Sequence, residues 1–264
     1  IEPWRTRAWE TLRDRARDVD LWVSPSRYFA DRMSERLGLD PARLCIVPNG
    51  IRLDGYDALP ERQRKAPGDA VTLGFFARMC ADKGLDLVVD AFLALRAGGR
   101  HSNLRMRVGG GCGPGDQAYV DGLRRRLNAA GLEASASFHP NLSREDKIAF
   151  YAACDVISVP SRMSESFGLY LIESLAAGTP LVQPDVSGFG EVLRDTGGGV
   201  LYARNTSAAL ASALEPLLAD PAQLALLGAA GKEAVWSRYS DTAMARNTVS
   251  ALDLAGLRLP EPVS

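Results

Sequence analysis

The amino-acid sequence predicts an α/β protein: a parallel sheet with helices on both faces, preceded by a small, partial α/β segment. Three observations carry this expectation. From Val71 onward, short β-branched or apolar runs alternate regularly with amphipathic segments, the pattern of βα units wound around a parallel sheet. The 264 residues are 46% hydrophobic and 24% charged, enough to bury one large core or two modest ones. Third, the residues able to do chemistry fall just after strands, on the edge where parallel sheets collect ligands.

Taken in order, "DVDLWVSPSRYFADRMSERLG" reads as a strand and then a helix, and "RLCIVPNGIRLDGYD" as a short strand ending in an Asn49-Gly50 turn. This gives a first unit over 1–55 and, with "LPERQRKAPGD", a linker over 56–70. Strands follow at 71–77, 104–110, 135–140, 155–160, 180–184 and 198–202. Helices fall between them near 84–97, 116–130, 144–153, 168–177 and 207–219. Together they make a Rossmann-like domain over 71–240, closed by a C-terminal helix and tail over 241–264, the helix near 242–256.

Composition excludes several classes. With 31 basic and 32 acidic residues the formal net charge is -1, which gives no overall attraction to nucleic acid or to an anionic membrane. Cys45, Cys80, Cys112 and Cys154 are 32 to 42 residues apart and lack C-x-x-C spacing, so free thiols in a reducing cytosol are expected. Only His101 and His139 are present, too few for a histidine-rich metal site. No apolar run approaches the roughly 20 residues of a membrane span, and the expected location is cytoplasmic. The chain starts at Ile1 rather than Met. That suggests processing or a fragment, which leaves an upstream targeting signal open.

Arg78 and Lys83 follow the first of the six strands, "GGGCGPG" (Gly109 to Gly115) follows the second, "HPNLS" the third and "SRMSESFG" the fourth. A basic pair and a glycine-rich turn on one edge suit a diphosphate. Spacing alone leaves Arg78 and Lys83 equally readable as solvated loop charges, the glycines as a simple turn, and His139 as a packed or surface histidine. "GGGCGPG" fits neither the Walker nor the dinucleotide fingerprint. In "ESFGLYLIESLAAGTP" seven residues separate Glu165 from Glu173. An amphipathic helix needs neither, because Leu169, Ile172, Leu175 and Ala176 already supply its apolar stripe. Glycoside hydrolysis by the pair is disfavoured: eight residues of continuous helix span about 12 Å, beyond either hydrolase geometry.

The segments "FFARMCADKGLDLVVDAF", "VGGG" and "CDVISVPSRMSESFGLYLIESLAAGTPLVQPDVSGFGEVL" resemble, in order and spacing, the retaining glycosyltransferases of family four, which have the GT-B fold. The resemblance runs from Asp20 to Tyr239 and is strongest from Asp155 to Leu193, where the two glutamates precede "AAGTP". It implies that Arg78 and Lys83 hold the donor diphosphate and stabilise it as leaving group without a metal or other cofactor. It implies that Glu165 faces donor-sugar hydroxyls, with the amides around Phe167, Gly168 and Leu169 approaching sugar and phosphate. Glu173 would accept from ribose hydroxyls, and Gly110 and His139 would complete the donor site.

The same resemblance makes residues 1–55 a remnant of an acceptor-side domain that is mostly absent, toward which the last helix is expected to pack back. The implied reaction is transfer of a hexosyl group from a nucleoside diphosphate sugar to an acceptor hydroxyl with retention, by a site of which this chain alone holds one wall. Its partners would be that donor, an unidentified acceptor and the missing N-terminal domain, with no nucleic acid. Any peripheral membrane contact would come only through the missing part. A sugar-nucleotide epimerase or phosphorylase of the same fold, and a non-catalytic nucleotide-sugar-binding module, are the alternatives.

Overall fold

A computed structural model describes residues 2–60, 65, 66, 68–97, 99 and 101–257. The first unit consists of α1 (Glu2–Ala16), β1 (Trp22–Ser24), α2 (Arg27–Leu37) and β2 (Leu44–Ile46). Ser26 starts α2 by accepting from the Phe29 amide, and Gly38 ends it in the left-handed region. β1 and β2 pair in parallel from Trp22↔Leu44 to Ser24↔Ile46. α1 buries none of its residues. It is held to α2 where the Arg36 guanidinium stacks 3.6 Å over Trp9.

The larger unit runs β3 (Thr72–Phe76), α3 (Leu85–Ala97), β4 (Arg105–Gly110), α4 (Gln117–Ala129), β5 (Ala136–Pro140), α5 (Arg144–Ala152), β6 (Val156–Ile157), α6 (Leu169–Ala176), β7 (Leu181–Pro184), α7 (Phe189–Thr196), β8 (Gly199–Tyr202), α8 (Ser207–Ala219), α9 (Pro221–Arg238) and α10 (Asp241–Leu254). Its six strands form one parallel sheet in the order β5-β4-β3-β6-β7-β8. Leu73, Phe75, Val108, Val156, Ile157, Leu181 and Val182 are all fully buried, as expected of strands covered on both faces. Two successive strands run outward from β3 on one side, and the chain then returns to build β6, β7 and β8 on the other. The order therefore reverses between β3 and β6, which opens a crevice at their carboxyl ends.

Five of the six expected strands lie within a residue of their expected bounds. The exception is β6, expected over 155–160. Only Val156 and Ile157 keep strand pairing there, because the Val159 amide bonds the Gln183 side chain at 3.0 Å and Pro160 has no amide to give. The sequence reading places no helix at α1, α7 or α9. α9 carries Gly228 and Gly231 in its interior, which weaken a helical pattern. A Cβ at Gly228 would stand 2.3 Å from the Gly178 carbonyl oxygen, so glycine is what lets α9 lie against the turn after α6.

Within the span read as a linker, Tyr56 is buried and Lys65 Nζ lies 2.5 Å from Asp155 Oδ2, while 61–64 and 67 fall outside the described residues. So does the tail over 258–264. The last helix does return to the first unit. Ile51 forms a parallel bridge with Ser240, and the Gly50 amide points at Met244 Sδ, 3.2 Å away. No helix among the described residues is long and apolar enough to cross a membrane.

Candidate functional site

The exits of β3, β4 and β6 meet at the crevice. After β3 the chain passes Arg78 and makes one tight turn over Ala81–Lys83 before entering α3. Arg78 reaches Asp116 at the start of α4, with Nη2 3.0 Å from Oδ1 and Nε 3.1 and 3.2 Å from the two oxygens. Asp116 is buried and also accepts from the Gly113 amide at 3.1 Å, which closes the glycine-rich loop on itself. The Arg78 hydrogen bonds, and then the Gly113 amide, hold its carboxyl below the usual carboxylate range. Sequence reasoning did not single out Asp116; "PGD" at a helix start was its signal.

Gly110 occupies a position that only glycine tolerates. Its φ is +121°, and a Cβ there would stand 2.0 Å from the Ala77 carbonyl oxygen. The ends of β3 and β4 can therefore approach closely, and the Met79 amide bonds the Gly111 carbonyl at 2.8 Å.

Lys83 forms an ion pair with Glu165, which joins the exit of β3 to the exit of β6. The Lys83 side chain is 26% exposed and that of Glu165 19%, so the pair is partly open to solvent. Ser161 adds a hydroxyl 3.2 Å from Glu165 Oε1. A second brace lies beside the pair. Arg162 grips Asp86 with both guanidinium ends, at 2.7 and 2.6 Å, and its amide donates to the Asp82 carbonyl at 2.8 Å. Burial pushes the Asp86 carboxyl up, but hydrogen bonds from Arg162 and Tyr119 outweigh it and leave the group below its ordinary value.

The two glutamates do not share a helix. Gly168, at φ +90°, separates Glu165 from α6 and, having no side chain, leaves the first amides of α6 without a side-chain cap. Glu173, one turn into α6, faces α5 instead. Lys147 Nζ lies 2.6 Å from its Oε1, and the Tyr151 hydroxyl donates to Oε2 at 3.0 Å. Phe167 is buried against Tyr239, with ring centroids 6.1 Å apart, so only its backbone is available to a ligand. Leu169 departs from the expected apolar stripe. It is 48% exposed, because the turn at Gly168 swings the first residue of α6 away from the core that Ile172, Leu175 and Ala176 enter.

The structure thus gathers Arg78, Lys83, Gly110, Glu165 and the Phe167–Leu169 backbone at one edge, with Glu173 on the neighbouring α5 side. His139 lies on edge strand β5, opposite Gly109 of β4. Its Nε2 lies 2.9 Å from Ser137 Oγ and its ring meets Phe150 edge-on at 5.8 Å. Burial, and then Arg107, lower its pKa. Cations beside an uncapped helix start and acceptor-only carboxylates can engage phosphates and polyol hydroxyls together.

Residues 59–234 match the family described as glycosyl transferases group 1. The chain belongs to this family. Among its relatives, D-inositol 3-phosphate glycosyltransferase from Kineococcus radiotolerans is 34% identical over 207 residues, covering 73% of this chain and 47% of that protein. The chain spans about half the length of the curated relatives it matches. In fold, this group 1 chain resembles HepE of Anabaena, solved in complex with UDP, with a TM-score of 0.74 at 20% identity over 89% of this chain and 64% of that one. It also spans all of a solved C-terminal domain, that of the group 1 protein LpcC from Francisella tularensis, with a TM-score of 0.62 at 20% identity over 73% of this chain. The fold is that of the GT-B glycosyltransferases.

Proposed function

We propose that this chain is the nucleotide-sugar-binding half of a glycosyltransferase that moves a hexosyl group from a nucleoside diphosphate sugar to an acceptor hydroxyl with retention. The observation that carries the proposal is the Lys83–Glu165 ion pair at the strand-order reversal, followed by the uncapped start of α6. Lys83 and Arg78 meet the diphosphate and offset the charge that grows on it as the glycosidic bond breaks, a role in which no metal is required. Glu165 accepts from sugar hydroxyls, and the amides near Phe167, Gly168 and Leu169 approach the sugar and phosphate. Glu173 takes the ribose hydroxyls. Gly110 lets the backbone come close to the donor.

The chain matches only about half of its relatives' length, so we place most of the acceptor side in a further domain. Residues 1–55 contribute the strand-helix units nearest the donor. A thermal-shift panel of UDP-, GDP- and ADP-sugars tests this reading, because a ligand that binds only the folded chain raises its melting temperature by mass action. One sugar nucleotide should stabilise the chain more than the others. No shift with any of them, at millimolar ligand, would overturn the proposal.

A further inference from the structure

Glu165 lies in a segment without regular secondary structure, yet both of its neighbours are held from the far end of the sequence. Arg32 of α2 donates from Nη1 to Ser164 Oγ at 2.8 Å, and Ser26 Oγ donates to the Ser166 carbonyl at 2.5 Å. The Glu165 carbonyl itself accepts from the Gly188 amide at 3.1 Å, in the turn between β7 and α7. Glu191, in the first turn of α7, then reaches back to α2. Its carboxylate accepts from the Arg27 amide at 2.8 Å and the Tyr28 amide at 2.5 Å. The start of α2, the Glu165 loop and the start of α7 therefore close a ring.

Glu191 does chemically what a helix start calls for. The first amides of α2 have no intrahelical acceptor. Ser26 satisfies that of Phe29, and Glu191 satisfies two more with a negative charge placed at the positive end of the helix. The carboxylate comes from the other unit, so the first unit is docked at the point where it also grips Ser164 and Ser166.

We propose that Glu191, Ser26 and Arg32 form a clasp between the two units that positions Glu165, so that docking of the first unit sets how Glu165 meets the donor sugar. The clause about the sugar rests on the donor-site reading above; the clasp itself does not. The three are positioning residues, since none of them touches the Lys83–Glu165 pair.

Hydrogen exchange on the full chain, compared among wild type, Glu191→Ala, Glu191→Gln and Arg32→Ala, tests the clasp. Glu191→Ala should speed exchange by about tenfold or more at 27–30 and at 162–168 together, because opening the ring frees both. Glu191→Gln keeps an acceptor oxygen and should restore most of the protection. Arg32→Ala should speed 162–168 and leave α2 at wild-type rates. Faster exchange confined to 27–30 in Glu191→Ala would make Glu191 a cap of α2 and nothing more, and would overturn the proposal. If Glu191→Ala does not fold, Arg32→Ala decides alone, and unchanged exchange at 162–168 overturns it. Calorimetry with whichever of UDP-, GDP- or ADP-glucose stabilises the chain, and with its nucleoside diphosphate, adds a second readout. The clasp variants should lose the extra affinity that the sugar confers while keeping that for the nucleoside diphosphate. A wild type that binds the two equally would count against the sugar role of Glu165, and the exchange data would still judge the clasp.

Discussion

Lys147 Nζ stands 2.6 Å from Glu173 Oε1, and Tyr151 occupies the other oxygen, so the inner carboxylate of α6 is anchored to α5 and not to the Lys83 pair. An ionised carboxylate offers about four acceptor sites, and two remain for a diol. Glu173→Gln should therefore weaken the nucleoside diphosphate and its sugar nucleotide alike, by about tenfold, the worth of a charge-assisted hydrogen bond. Calorimetry measures it. Wild-type affinity for both ligands would reduce Glu173 to a tie between α5 and α6.

Glu165→Gln should behave differently. Glu165 is held by Lys83 and Ser161 at the crevice, and its proposed partner is the sugar. Nucleotide affinity should stay nearly unchanged, while the extra affinity contributed by the sugar falls. If the two glutamine variants give the same binding profile, the division of labour between the carboxylates is wrong.

Lys83→Ala should erase most of the preference for a nucleoside diphosphate over the nucleoside. Charge-assisted contacts contribute about 1.5–3 kcal/mol each, so the loss should be tenfold or greater. Lys83 also neutralises Glu165, and the double variant Lys83→Ala, Glu165→Gln removes that complication. Equal affinity of wild type for the preferred nucleoside and its diphosphate would take the diphosphate away from this site.

Acid should dissolve the Arg162–Asp86 brace in a defined direction. The pKa of Asp86 is lowered in the folded chain, so its stabilising contribution is complete above the unfolded value of about 4 and is lost as pH falls through the lower folded value. Asp86→Asn should lower the melting temperature at pH 7, and the gap to wild type should narrow at about pH 3. A gap of constant size across that range would show that the charge of Asp86 contributes nothing.

Gly110→Ala should be costly and Gly111→Ala cheap. The first puts a Cβ 2.0 Å from a backbone oxygen at φ +121°, whereas the second meets nothing within 4 Å. Denaturant titration should show a loss of roughly 2–4 kcal/mol for Gly110→Ala and little change for its neighbour. Equal losses would mean that the β3–β4 approach is not what selects glycine.

The sheet was legible in the sequence because its strands are short apolar runs bounded by glycine, proline and polar turns, a pattern that Leu73, Phe75, Val108 and Val182 repeat without ambiguity. α9 was not, since its small residues serve packing against the Gly178 turn and follow no apolar period. Lys83, Glu165 and Gly110 lie at or after strand ends, which converge in a parallel sheet, and the family resemblance is what gave them roles. Lys147, Arg162 and Glu191 could not be named. Each matters through a partner 26 to 164 residues away in sequence, and no local pattern encodes such a pairing.

The bridge between Ile51 and Ser240 has a mechanical meaning. The chain crosses from the first unit to the sheet near Ile51 and leaves the sheet again beside it, with the Ile51 amide on the Tyr239 carbonyl and the Asp241 amide on the Ile51 carbonyl, both at 2.9 Å. Two tethers laced together act as one axle. Any separation of the halves that keeps those bonds intact pivots beside these residues. The start of α2 lies beside that pivot, since Ser26 bonds the Ser166 carbonyl and Phe167, the next residue, packs on Tyr239, so the Glu165 loop shifts least where the first unit holds it.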